Sequence, residues 1–386
     1  MRYFDEFRDK AAATGLLEAL RRVELPEPVT FMEVCGSHTM AISRFGIRGL
    51  LPSTIRLVSG PGCPVCVTPV RAVDHALALA ALPQVTIATF GDLLRVPGSR
   101  SSLEQARAAG ADVRVVYSVL DALALARRES SRRVVFLGVG FETTAPTVAA
   151  ALLEARAERV TNFFVLSDHK IMPPAMRALV EAPDVRVRGF ICPGHVSTII
   201  GSDAYRFLAG EYGISCVVAG FEPLDILQAL LLLTRQAAEG RAVVENAYGR
   251  AVTPQGNRAA QAVLAQAFAP ADAAWRGFGV IPGSGLAIRA ELAAHDAGRA
   301  FSVTVGEGRD HPACRCPDVL RGVVLPPECP LFARACTPTD PKGACMVSSE
   351  GTCAAYYRYE RRNHSSEPAP HGAARHIPRP PAGDGT

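Results

Sequence analysis

Sulfur dominates the chemically capable residues of this chain. The stretch Ser59-Gly60-Pro61-Gly62-Cys63-Pro64-Val65-Cys66-Val67-Thr68-Pro69 holds two cysteines at C-x-x-C spacing, locked between glycines and prolines directly after an apolar run. A further cysteine sits upstream in Glu33-Val34-Cys35-Gly36-Ser37-His38-Thr39, and Cys314, Cys316, Cys329, Cys336, Cys345 and Cys353 fall within 40 residues of one another. For Cys63 and Cys66 the spacing points to a reversible dithiol. A zinc site takes four ligands, usually as two such pairs, and no second C-x-x-C exists here. Three prolines stiffen the loop, and a following helix stabilises a thiolate. Cys35 is either a small buried hydrophobe at a strand end or a functional thiol. Gly36, with Ser37 or Thr39 as a cap and His38 in reach, favours the second, because a helix start lowers a thiol pKa and exposes the sulfur. In the tail, Pro317, Pro326, Pro327, Pro330, Pro338 and Pro341 interleave the thiols, so little regular structure forms there without a staple. Four thiolates on irregular loops suit a four-iron cluster, whereas zinc prefers paired ligands at short spacing; a degenerate zinc site is the alternative.

The rest of the chain must position these groups. With 386 residues, 48% hydrophobic and 20% charged, it can bury a core and form two or three domains. The net charge of +4 is spread rather than striped, which argues against a nucleic-acid partner. Acidic residues in Met1-Arg2-Tyr3-Phe4-Asp5-Glu6-Phe7 stand where a signal peptide is apolar, and no run approaches the roughly 18 apolar residues of a membrane span. A cytoplasmic location is expected, and in that reducing compartment eleven cysteines imply metal binding or redox turnover rather than structural disulfides.

Helical spacing over residues 6–22 ends at Pro26 and Pro28. From Val29 onward, short β-branched runs alternate with alanine- and leucine-rich segments, the rhythm of βα units. Val29–Val34, Ile55–Val58, Val85–Phe90 and Val113–Tyr117 form a first set of strands, which one four-stranded parallel sheet would accommodate. Val134–Leu137, Asn162–Leu166, Val187–Ile191 and Cys216–Ala219 form a second. The fold class is therefore α/β, read as two similar parallel-sheet domains over 29–130 and 131–236 that face a cleft; a single eight-stranded sheet is the competing architecture. Ligands of open parallel sheets bind beyond the carboxyl ends of the strands. There stand Cys35–Thr39, the Gly60–Cys66 loop, Gly138–Pro146, Ser167–Lys170 and Cys192–His195. Gly138 and Gly140 lack the third glycine of a dinucleotide fingerprint, although a helix start at Thr143 or Thr144 could hold an anion. His169 and His195 read as isolated structural histidines, and Cys192 and Cys216 as buried strand residues. Residues 237–309 carry a helix near 257–268 and a glycine-rich strand and turn over 277–285, with no chemistry assigned. The segment 364–386 is expected to be disordered.

Four motifs in this order, Cys35-Gly36-Ser37-His38-Thr39, Gly60-Pro61-Gly62-Cys63-Pro64-Val65-Cys66, Gly140-Phe141-Glu142-Thr143-Thr144-Ala145-Pro146 and Met346-Val347-Ser348-Ser349-Glu350-Gly351-Thr352-Cys353, resemble the HypD family of hydrogenase formation proteins. The resemblance implies a scaffold, a monomer in complex with the chaperone HypC, on which the iron of a nickel–iron hydrogenase receives cyanide and carbon monoxide. The family pattern C-x14-C-x6-C-x16-C selects Cys314, Cys329, Cys336 and Cys353 as [4Fe-4S] ligands and leaves Cys316 and Cys345 over. It implies that Cys35 holds the mononuclear iron together with the N-terminal cysteine of HypC, and that His38 orients or protonates its ligands. Cyanide arrives as a thiocyanate on HypE, supplied with HypF, so its release takes two electrons. Cys63 and Cys66 would give them and the cluster would restore them, with Glu350 carrying protons or tuning the cluster. It also implies a third domain, built from 1–28 and 237–363. Whether such a scaffold is an enzyme in the strict sense is left open. An iron–sulfur disulfide reductase working through Cys63 and Cys66 without mononuclear iron is the alternative, and a pure assembly protein whose cluster only staples the tail is a third reading.

Overall fold

The computed structural model describes residues 5–361, so the 364–386 segment lies outside the described residues. Two all-parallel sheets and one antiparallel hairpin make up the strand content. The first sheet has the order β2-β1-β7-β8-β9, with β1 Val29–Glu33, β2 Ile55–Ser59, β7 Gly189–Pro193, β8 Ser215–Ala219 and β9 Val244–Asn246. The second has the order β4-β3-β5-β6, with β3 Val85–Thr89, β4 Val113–Val115, β5 Arg133–Gly138 and β6 Phe163–Ser167. The hairpin pairs β10 Phe268–Trp275 with β11 Gly279–Ile288.

The α/β class with two separate parallel sheets agrees with the sequence reading, and the single eight-stranded sheet is excluded. The grouping of strands is corrected. β1 and β2 do not share a sheet with β3 and β4; they join β7, β8 and β9, while β3 and β4 join β5 and β6. After β2 the chain crosses through the helices Pro64–Val67 and Val70–Ala80 into the second sheet, and it returns after β6 through Met172–Glu181 to lay β7 beside β1. Each sheet is therefore built from two separated parts of the chain, and the divide at 130/131 does not follow the sheets.

Period-two alternation sorts each strand between two cores. In the first sheet Phe31, Leu57, Ile191 and Val217 face one core, and Met32, Val58, Phe190 and Val218 the other. In the second, Phe136, Phe163 and Val165 oppose Ile87, Val135 and Phe164. The N-terminal helix Lys10–Arg22 buries Leu17 and Leu20 against the helix Pro223–Ala238 on the first sheet, not against the cysteine-rich tail. The tail packs its own short helix Thr352–Ala355 on the helix Gly36–Arg44 that follows β1.

Arg48 ties that junction together. Its guanidinium donates to Glu360 Oε1 (2.6 Å), to Ser43 Oγ (2.9 Å) and to Ser59 Oγ (2.9 Å), and it lies 4.8 Å from the Tyr356 ring centroid. Replacing Arg48 by Leu strands the buried Glu360 carboxylate, and we expect it to cost about 3–5 kcal/mol in chemical denaturation.

Candidate functional site

Because β1 pairs with both β2 and β7, and β7 with β8, the carboxyl ends of four strands meet at one edge of the first sheet. They carry Cys35, the Gly60–Cys66 loop, His195 and Gly220–Phe221. The closest approach is between main chains. Gly36 N–H donates to Gly62 O (2.9 Å), Gly60 N–H donates to Glu33 O (2.7 Å), and a Cβ on Gly62 would fall 2.1 Å from Cys35 N. Only glycine permits this contact.

Cys35 is the residue before the helix Gly36–Arg44, and the N–H groups of Ser37 and His38 point at its sulfur. The thiol is nevertheless buried, and burial, then the carboxylates of Glu350 and Glu33, push its pKa up to about 12. The expected exposed, low-pKa thiol is thereby corrected, since two N–H dipoles do not offset desolvation beside two negative charges. Glu33 is fully buried. Its Oε2 accepts Cys35 N–H (3.0 Å), its Oε1 accepts the Thr39 hydroxyl (2.5 Å), and burial lifts its carboxyl to about 7. Glu350 reaches in from the tail, its Oε1 accepting the Ser37 hydroxyl at 2.6 Å. Its Cβ fills the space that a side chain on Gly36 would need.

The His38 ring is buried. Its Nε2–H donates to Gly220 O (2.8 Å), which leaves Nδ1 without a partner, and burial lowers its pKa to about 4. Its ring centroid lies 4.9 Å from that of Phe221, on which His195 stacks at 4.0 Å. Glu350 acts electrostatically on His195. His195 thus belongs to this site and is not an isolated histidine. Glu33, Ser37 and Phe221 also belong to it. Glu33 and Ser37 stand in the Cys35 stretch itself, whereas Phe221 carries no spacing signal and only the β1–β7–β8 neighbourhood reveals it.

Cys63 and Cys66 are joined by a disulfide, both buried, with Cα atoms 5.2 Å apart. Arg276 from the hairpin holds the loop from behind, its backbone N–H donating to Val67 O (2.8 Å) and its side chain to Thr68 O (3.1 Å).

Beyond this loop lies the second sulfur centre. Cys314, Cys316, Cys329, Cys336, Cys345 and Cys353 line one small pocket with Phe332 and Met346. Among the described residues no three His, Cys, Asp or Glu side chains close around a single ion. Ligands spread around a pocket answer to a polynuclear cluster, whose separate irons each take one thiolate. The donor set fits such a group. All six groups are soft thiols, two of the neighbours are apolar, and Cys336 Sγ accepts N–H bonds from Lys342 (3.3 Å) and Gly343. Cys316 Sγ and Cys345 Sγ stand 2.7 Å apart, so the two thiols left over by spacing form a pair. The segment Ala344–Met346 packs on the helix Pro64–Val67, which places this pair beside the disulfide loop. Cys192 and Cys216 are fully buried on adjacent strands, as read from sequence.

Two outcomes follow from these environments. Gly62→Ala forces the loop off Cys35, and we expect a loss of about 1–3 kcal/mol in thermal or denaturant unfolding. The buried Glu142, with Oε1 accepting Met172 N–H (2.9 Å) and Oε2 unpartnered, has its carboxyl raised by burial from 4.5 to about 7. Below pH 4.5 it is protonated both folded and unfolded; between 4.5 and 7 only the folded state keeps the proton, so stability falls as pH rises. Glu142→Gln removes that slope, and its stability relative to the parent protein should rise by on the order of 3 kcal/mol between pH 4 and pH 8.

A family model described as HypD, "Hydrogenase formation hypA family", matches residues 11–360. The chain is 49% identical to the hydrogenase maturation factor HypD of Rhizobium leguminosarum bv. viciae over 370 residues, covering 94% of this chain and 96% of that protein. It is 48% identical to HypD of Cupriavidus necator, over 94% of this chain and 98% of that protein. With HypD of Escherichia coli K12 the identity is 45%, over 94% and 99%. A match of this length shows that the chain belongs to the HypD family of hydrogenase maturation factors.

Proposed function

We propose that this protein is the scaffold on which a mononuclear iron acquires cyanide and carbon monoxide for a nickel–iron hydrogenase. Cys35 would hold the iron together with a cysteine of HypC, and HypE would be the cyanide donor. The observation that carries the reading is the meeting, at one point, of a soft thiol, a reducible cysteine pair and a carboxylate from the tail.

Iron is the cargo, and the side chains around it have defined tasks. Cys35 rests as a neutral thiol, so binding Fe²⁺ releases its proton, and Glu350 is the carboxylate acting most strongly on it. Cyanide delivered as a thiocyanate must gain two electrons. Reduced Cys63 and Cys66 supply both: the S–CN bond breaks, cyanide passes to iron, the donor leaves as a thiol, and Cys63–Cys66 closes to the disulfide. His38, with one ring nitrogen fixed by Gly220 O, keeps the other as a lone-pair acceptor. Cys314, Cys329, Cys336 and Cys353 would hold a [4Fe-4S] cluster, which when bound supplies single electrons.

The test is infrared and Mössbauer spectroscopy on anaerobic protein co-purified with HypC. The parent protein should show cyanide and carbon monoxide stretches with low-spin ferrous iron beside a four-iron cluster. Cys35→Ala should lose everything but the cluster, and Cys63→Ala or Cys66→Ala should lose the cyanide bands. Cluster signals alone in every sample, with competent partners present, would favour the disulfide reductase. Maturation by the Cys63→Ala and Cys66→Ala variants would favour the pure assembly protein.

A further inference from the structure

A thiol that shares a metal ion with a cysteine of another protein has to be reached from outside, yet Cys35 is only 8% exposed. Something that covers it must move. Most of what packs on it is fixed. The Gly62 loop lies against it as main chain, bonded through Gly36 N–H, and the buried Glu33 is held by Cys35 N–H and the Thr39 hydroxyl. The helix Gly36–Arg44 begins at Cys35 itself.

Glu350 is the exception. It crosses Gly36 from the tail and is half-buried where Glu33 is fully enclosed. Its carboxylate accepts the hydroxyl of Ser37, also half-buried, at 2.6 Å, and acts on the Cys35 thiol more strongly than any other charge. The backbone beneath it is anchored. Ser348 Oγ donates to Asp92 Oδ2 (2.8 Å) and accepts Glu350 N–H (3.3 Å), and a Cβ on Gly351 would fall 2.2 Å from Cys345 O. Cβ of Glu350 fills the space above Gly36, so movement is confined to Cγ and the carboxylate. A side chain turning about such bonds, latched by one hydroxyl near the surface, leaves an open rotamer populated on the order of 1%.

We propose that the Glu350 side chain is a gate over Cys35, latched by Ser37 and swung aside to admit a metal ion and an incoming thiol. The test is the access of Cys35 in the full-length anaerobic protein, read by peptide mass spectrometry after treatment with iodoacetamide or its bulky fluorescein derivative. Both reagents react with the thiolate, so the ratio of their rates reports space and not pKa. Ser37→Ala and Glu350→Ala should raise the bulky-to-small ratio at least ~10-fold over the parent protein. Ser37→Thr, which keeps the latch hydroxyl, should leave it unchanged. Glu350→Gln keeps an oxygen for Ser37 but loses the charge, so both reagents should speed up together at an unchanged ratio. Cys192 and Cys216, fully buried in the core, should stay unlabelled throughout. An unchanged ratio in Ser37→Ala and Glu350→Ala, or a rise that Cys192 and Cys216 share, would overturn the gate. Its part in iron loading rests on the scaffold reading, but labelling uses neither iron nor partner, so either can fail while the other stands.

Discussion

The contact between Gly62 and Cys35 is the constraint on which the functional end of this molecule depends. A side chain on Gly62 would meet the backbone of Cys35 and Val34 at 2.1–2.4 Å, so the disulfide loop and the end of β1 touch as bare main chain. The parallel register that pairs Glu33 with Ser59 brings both strands to their ends at the same level, and the two loops must then fit together. Gly36 repeats the device on the other side, leaving room for Cβ of Glu350. Loop and tail are thus seated on one strand end by two absent side chains, and the three chemistries they carry share one rigid frame.

The hairpin β10–β11 extends that frame to the second sulfur centre. Arg276 is buried at its turn and serves both sides: it donates to the carbonyls of Val67 and Thr68 just after the disulfide, and it pairs with Asp310 shortly before Cys314. Its charge also acts on Cys316. A buried cation held between two cysteine regions favours negative sulfur at Cys316.

The sequence exposed the elements far better than their arrangement. The helices Val70–Ala80, Val119–Arg128 and Pro223–Ala238 fall in the alanine- and leucine-rich segments between the runs, and the doubly buried strands β3 and β8 read as continuous runs. Which parallel strands become neighbours is not a local property, so the placement of β7 beside β1 was not legible, and with it went His195 and Phe221. Burial was misread at Cys35 for a related reason. The local pattern announces a helix start, but the burial of the thiol is set by tertiary packing, and one of the charges acting on it comes from a residue as distant in sequence as Glu350. The four motifs succeeded because each packs its chemistry into a single strand-end loop or a single turn.

The charges around Cys35 carry the last step. Glu33 and Glu350 both raise its pKa, which means that they oppose a thiolate, yet the same two carboxylates attract a cation. An anionic sulfur alone is disfavoured here, and an anionic sulfur bound to Fe²⁺ is not, because the metal's own charge reverses the sign of the local field. A site that merely needed a nucleophilic thiolate would be built the other way, with a lysine or a protonated histidine beside the sulfur. Here His38 is kept neutral by burial and Lys170 lies just beyond β6 of the second sheet, paired with Asp168. The electrostatics therefore favour the proposed use of Cys35 as a ligand for a metal cation over Cys35 as an attacking thiol.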